Sequence, residues 1–163
     1  MSRLPLGLLT ALLLVAAGIA AGAASGASRI VPCDETIGVS DFPGPDTTVV
    51  AGAVALPREP LLSVNRSNEP GWPYVRKLGL VVAGRARVEV SVPPGERAKV
   101  AITWGSRPDA YASIVIEGCR SLRGVGRVDA GGVRLRRSSA CVPVRFRVGR
   151  LSATVRLGIG RAC

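Results

Sequence analysis

The chain has 163 residues, no histidine and a formal net charge of +11. The missing imidazole excludes Ser-His-Asp triads, Cys-His pairs and the usual zinc hydrolase sites, and no G-x-S-x-G or P-loop string occurs. The charge is almost all arginine, 20 Arg against 2 Lys, a bias that points partly to a GC-rich genome.

Residues 1–28 read as a secretory signal. Arg3 precedes an apolar run from Leu6 to Ala24, and small residues follow up to Ser28. Cleavage sites fit after Ala23 or after Ala27. An uncleaved membrane anchor is the alternative, since the run approaches the roughly 20 residues needed to span a bilayer. A lipid-attachment box is disfavoured by Pro32 next to Cys33. Residues 29–163 then form a single disulfide-bonded domain.

From Arg29 on, Pro and Gly punctuate short Val-, Ile- and Leu-rich runs, the pattern of an all-β chain. Asp41 to Asp46 reads as an irregular lead-in. Strands are expected near Thr47–Leu56, Val75–Ala83, Ala86–Val92, Ala98–Trp104, Ala112–Glu117, Gly132–Arg136, Val142–Val148 and Ser152–Leu157. Turn chemistry separates them: Pro57 to Pro60, Asn68 to Gly71, Pro93-Pro94-Gly95, Gly105 to Pro108 and Gly149-Arg150. Alternation predicts a hairpin pairing Val90 with Val100 and Val88 with Ile102. It predicts a second hairpin around a type II′ Gly149-Arg150 turn, pairing Phe146 with Ala153, Val144 with Val155 and Val142 with Leu157. About eight strands with one buried face each suggest a two-sheet antiparallel β-sandwich, immunoglobulin-like in architecture, with a partly open β-barrel as the alternative.

Charge is distributed unevenly. From Arg29 to Gly118 ten basic residues balance ten acids, whereas Cys119 to Cys163 holds eleven arginines and one acid, Asp129. On the last hairpin the apolar positions face inward and Arg145, Arg147 and Arg156 face out. Arg134 and Arg136 alternate with Val133 and Leu135 in the same way. These five arginines form the candidate anion-binding face, against the plainer reading of a solvated basic surface.

Exported cysteines are read as disulfides. Cys33 with Cys163 and Cys119 with Cys141 is the favoured pairing, and Cys33 with Cys119 and Cys141 with Cys163 comes next. A metal site is poorly supported without C-x-x-C or histidine. Asp34, Glu35, Asp41, Asp46, Glu89, Asp109 and Glu117 offer carboxylates for glycoside chemistry, and the first four for calcium, but at no recognised spacing. Trp72-Pro73-Tyr74 reads as a plug in the open end of the sandwich, with a loop that stacks on a sugar ring as the alternative. Gly124-x-Gly126 and Gly158-x-Gly160 read as turns, and the sequon Asn65-Arg66-Ser67 as chance. Nucleic-acid binding would want exposed aromatics among the arginines, and the basic segment has only Phe146, placed inside.

The strings Trp72-Pro73-x-x-x-Lys77-x-Gly79-Leu80-Val81, Ile102-Thr103-Trp104-Gly105, Ala140-Cys141-Val142-Pro143-Val144 and Val155-Arg156-x-Gly158-Ile159-Gly160-Arg161-x-Cys163 resemble those of small secreted actinobacterial proteins. The resemblance implies an exported, disulfide-bonded bacterial domain and brings no activity, ligand or catalytic residue. The expected function is that of a secreted, non-enzymatic domain without cofactor. It would be associated with the cell envelope and bind an anionic wall polymer or membrane surface, or a secreted or envelope protein. The alternatives are a structural or protein-interaction domain with no small ligand, and a histidine-free carboxylate- or metal-dependent hydrolase.

Overall fold

A computed structural model describes residues 25–58 and 63–163. The signal reading over residues 1–24 lies outside them, as does part of the turn expected at Pro57 to Pro60. In chain order the strands are β1 (Ser25–Val31), β2 (Gly38–Ser40), β3 (Thr47–Val50), β4 (Val54–Pro57), β5 (Asn65–Glu69), β6 (Trp72–Lys77), β7 (Leu80–Ala83), β8 (Val88–Ser91), β9 (Val100–Trp104), β10 (Tyr111–Ile116), β11 (Gly126–Asp129), β12 (Gly131–Leu135), β13 (Ala140–Val148) and β14 (Leu151–Ile159). The first begins at Ser25, within the stretch read as leader. Among the described residues no helix is long and apolar enough to cross a membrane.

The strands form two sheets, as an all-β sandwich requires. The larger runs β14-β13-β8-β10-β9-β12-β6-β5, with β1 added in parallel along β10, and curls into a half-barrel. The smaller runs β2-β11-β7-β4-β3. Between them lie Val90, Ile102, Trp104, Ile114, Val144 and Phe146 of the large sheet and Val54, Leu56, Leu80 and Val82 of the small one. Each such side chain, fully withdrawn from water, contributes about 1.5–3 kcal/mol. Trp104 satisfies its indole N–H on the Leu78 carbonyl at 2.9 Å.

The last hairpin forms in the expected register: Phe146 opposite Ala153, Val144 opposite Val155 and Val142 opposite Leu157. Gly149 has a φ of 55°, as the first position of a type II′ turn demands. The other expected hairpin does not form. Val90 pairs with Ile114 and Phe146, Ile102 pairs with Tyr111 and Val133, and β10 separates the two strands. Alternation identified the core side of β8, but β9 is buried on both sides, Ala101 and Thr103 as well as Val100, Ile102 and Trp104. The Pro93-Pro94-Gly95 connection carries a 3-10 turn over Pro94–Glu96 in place of a tight hairpin turn, and β10 occupies the position between the two strands.

Two expected long strands are divided. Thr47–Leu56 breaks at Ala51-Gly52, where both residues have positive φ (48° and 71°) and a hairpin turns. Val75–Ala83 breaks at Leu78-Gly79, where the chain passes from the large sheet to the small one. The residues on either side of each break, Val50 to Ala53 and Leu78 to Leu80, are apolar or glycine, so hydropathy at the break itself carries no mark of it. The lead-in Asp41 to Asp46 lies against the outward side of the small sheet: Ala55 is buried there, and a cavity is shared by Asp41, Gly44, Pro45, Ala55 and Val81.

The disulfides join Cys33 to Cys119 and Cys141 to Cys163, so the favoured pairing of Cys33 with Cys163 and Cys119 with Cys141 is overturned. The sheet explains this. Parallel pairing sets Val31 opposite Ile116, and the Glu117 N–H donates to the Val31 carbonyl at 3.1 Å. The residues just beyond both strands therefore meet. Cys141 lies opposite Gly158, and the chain folds back after Gly160 so that Cys163 returns beside it. The two bridges indicate an oxidising environment.

Candidate anion-binding face

Strand pairing places directly opposed residues on one side of a sheet. Two rows can therefore be read across the outward side of the large sheet. One runs Thr154, Arg145, Ser91, Ser113, Ser28, and the other Ser152, Arg147, Glu89, Val115, Ile30. Arg156, opposite Pro143, extends the same side. The β13–β14 hairpin thus presents Arg145, Arg147 and Arg156 together, as its alternation required.

Their electrostatic states differ. Arg147 is ion-paired with Glu89, its Nε donating to the carboxylate at 3.1 Å, so its charge is largely neutralised. The Arg145 Nε donates to the Ser152 hydroxyl at 2.9 Å. Neither Arg145 nor Arg156 has a carboxylate partner among the described residues. Beside Arg145 lies a polar trough of ≈ 530 Å³, lined by the hydroxyls of Ser91, Ser113, Ser152 and Thr154, by Pro93, Pro94 and Arg97, and by Glu89, whose carboxylate is held by Arg147. Arg97 was not expected here. It arrives because the Pro93-Pro94-Gly95 loop folds against β8, with the Arg97 Nε donating to the Val92 carbonyl at 3.1 Å.

Arg134 and Arg136 do not join this face. β12 is separated from β13 by β9, β10 and β8, and the curl of the sheet carries it away. Arg134 is buried, with hydrogen bonds to the Pro108 carbonyl at 2.7 Å and the Ser67 hydroxyl at 3.2 Å and an ion pair to Glu69 at 3.5 Å. Arg136 lies at the end of β12, its guanidinium over the Trp72 ring at 4.8 Å. Trp72 is buried beneath it, and Tyr74, two residues on, lies under Arg66 at 5.1 Å.

Three of the seven carboxylates considered for hydrolysis or metal binding, Glu35, Glu89 and Asp109, are engaged. Glu35 binds the Arg29 guanidinium and accepts the Ser106 N–H at 2.7 Å. Partial burial raises its pKa, but these two donors outweigh it and hold the group below its ordinary range. Glu89 is held by Arg147, and Asp109 accepts the Tyr111 hydroxyl at 3.0 Å. Among the described residues no three of the Cys, Asp and Glu side chains are grouped to hold a metal ion. A comparison with known protein families, with curated proteins and with solved structures found no match to this chain.

Proposed function

We propose that the chain is a secreted, non-enzymatic β-sandwich domain that docks on an anionic polymer of the cell envelope through the outward side of β13 and β14. The observation that carries this reading is the pair Arg145 and Arg156. Both project from one side of a nine-stranded sheet without a carboxylate partner among the described residues, and Arg145 lines a trough of hydroxyl groups. Arginines on a rigid strand lose little freedom on binding. The serine and threonine hydroxyls both donate and accept hydrogen bonds, which suits a hydroxylated, negatively charged chain.

The test is co-sedimentation of the oxidised protein with purified bacterial walls across a salt series. Binding is expected to fall steeply between 0.01 and 0.15 M salt, as the screening length shortens from about 30 Å to about 8 Å. The double change Arg145→Glu and Arg156→Glu should abolish it. Binding unaffected by salt, or by the double change, rejects the reading.

A further inference from the structure

A second group of cations stands at one end of the sandwich, away from the face just described. Where β9 begins, β12 ends and the chain folds back after β14, a cleft of ≈ 580 Å³ opens. Buried Val100 and Leu135 lie at its floor, and Lys99, Arg136, Arg137 and Arg161 line it. The four cations come from three stretches far apart in sequence, so no local charge run accounts for them.

The cleft is held in shape. The Arg136 Nε donates to the Ala98 carbonyl at 2.7 Å, and its guanidinium is stacked on Trp72, which fixes the plane of the fork. On the other side, the turn carrying Arg161 is tied down by the Cys141–Cys163 bridge. It is pressed so closely on Ser138 that a side chain at Gly160, where φ is 66°, would come within 2.3 Å of the Ser138 carbonyl oxygen. Glu96 is the one carboxylate lining the cleft among the described residues, and it is taken by Lys99 at 3.4 Å. Arg137 and Arg161 have no carboxylate partner among them.

Cations gathered in a concave, partly apolar site focus positive potential. Several planar forks around one cleft call for a ligand with more than two acceptor oxygens. A carboxylate has two, and a phosphate has three or four matched to the guanidinium geometry. We propose that this cleft binds a phosphate group through Arg136, Arg137 and Arg161. The proposal does not depend on the outer face and names a different ligand class. The group can be supplied by soluble polyphosphate or by a lipid headgroup.

The experiment titrates the oxidised protein with inorganic tripolyphosphate at constant ionic strength, followed by calorimetry. A parallel arm uses phosphatidylcholine vesicles with and without phosphatidic acid. Saturable one-to-one binding of tripolyphosphate is expected. Arg137→Ala with Arg161→Ala should weaken it roughly a hundredfold, about tenfold for each charge-assisted hydrogen-bonding arginine removed. Arg145→Ala with Arg156→Ala should leave it unchanged. Arg136→Lys keeps the charge but loses the fork, and should weaken binding at temperatures where the variant is still fully folded. Vesicle binding that requires phosphatidic acid and is lost in the Arg137/Arg161 double variant assigns the lipid source; response to tripolyphosphate alone assigns the soluble one. No saturable response in either arm, or equal weakening by the two double variants, overturns the site.

Discussion

Arg127 and Asp129 are both fully withdrawn from solvent. The Arg127 Nε donates to Asp129 at 2.9 Å, and its two amino groups reach the Glu117 carbonyl at 2.8 Å and the Pro32 carbonyl at 3.1 Å. One guanidinium thus joins the ends of β1 and β10 to β11, beside the Cys33–Cys119 bridge. Removing one partner leaves a buried, uncompensated charge, so Arg127→Met is expected to cost about 3–5 kcal/mol in urea unfolding. Burial lifts the Asp129 carboxyl above its usual range despite the opposing guanidinium. Its contribution to stability is therefore complete only at low pH and declines as pH rises through its elevated value. Glu35 behaves in the opposite sense. Its lowered pKa favours the fold above its ordinary value of 4.5, and that contribution is lost as pH falls through the folded value. The stability gap between the parent chain and Glu35→Gln should accordingly narrow in urea unfolding as pH drops below 4.5. The sequence alone held a single cue to the Arg127–Asp129 pair, the lone acid in an arginine-rich segment. A two-residue spacing puts both side chains on one side of a strand, yet nothing local indicates that this side is the core.

At the level of elements, local chemistry made the β13–β14 hairpin legible. A glycine at the first turn position and unbroken alternation on both arms determine its register without reference to the rest of the chain. The Val90–Val100 hairpin had the alternation but lacked the turn, and a non-local strand took the place between its arms. The same limit governed the cysteines, because their pairing follows from a parallel β1–β10 contact that no neighbouring residue signals. The two bridges should also differ in effect. Loop-closure entropy gives about 4.5 kcal/mol for the Cys33–Cys119 span of 86 residues and about 3.5 kcal/mol for the Cys141–Cys163 span of 22. Replacing each pair by alanine and measuring urea midpoints should show the larger loss for the first.

For the molecule as a whole, the segmental charge count located the positive half of the sequence but not its surface. Of the eleven arginines after Cys119, Arg127 and Arg134 are buried and Arg147 is neutralised. Arg145 and Arg156 reach the outer face, and Arg136, Arg137 and Arg161 line the end cleft. The curl of the large sheet, which composition cannot encode, divides one expected stripe into two separate groups of arginines. The covalent layout has a mechanical result. Tension drawn along the oxidised chain from Cys33 to Cys163 crosses from Cys33 to Cys119 and from Cys141 to Cys163 through sulfur, bypassing both closed loops. Only the stretch from Cys119 to Cys141 can be pulled out, roughly 75 Å at about 3.4 Å per residue. Between Cys33 and Cys163 the oxidised domain is therefore a tether whose reach is set by that one stretch, however completely its sheets are torn apart.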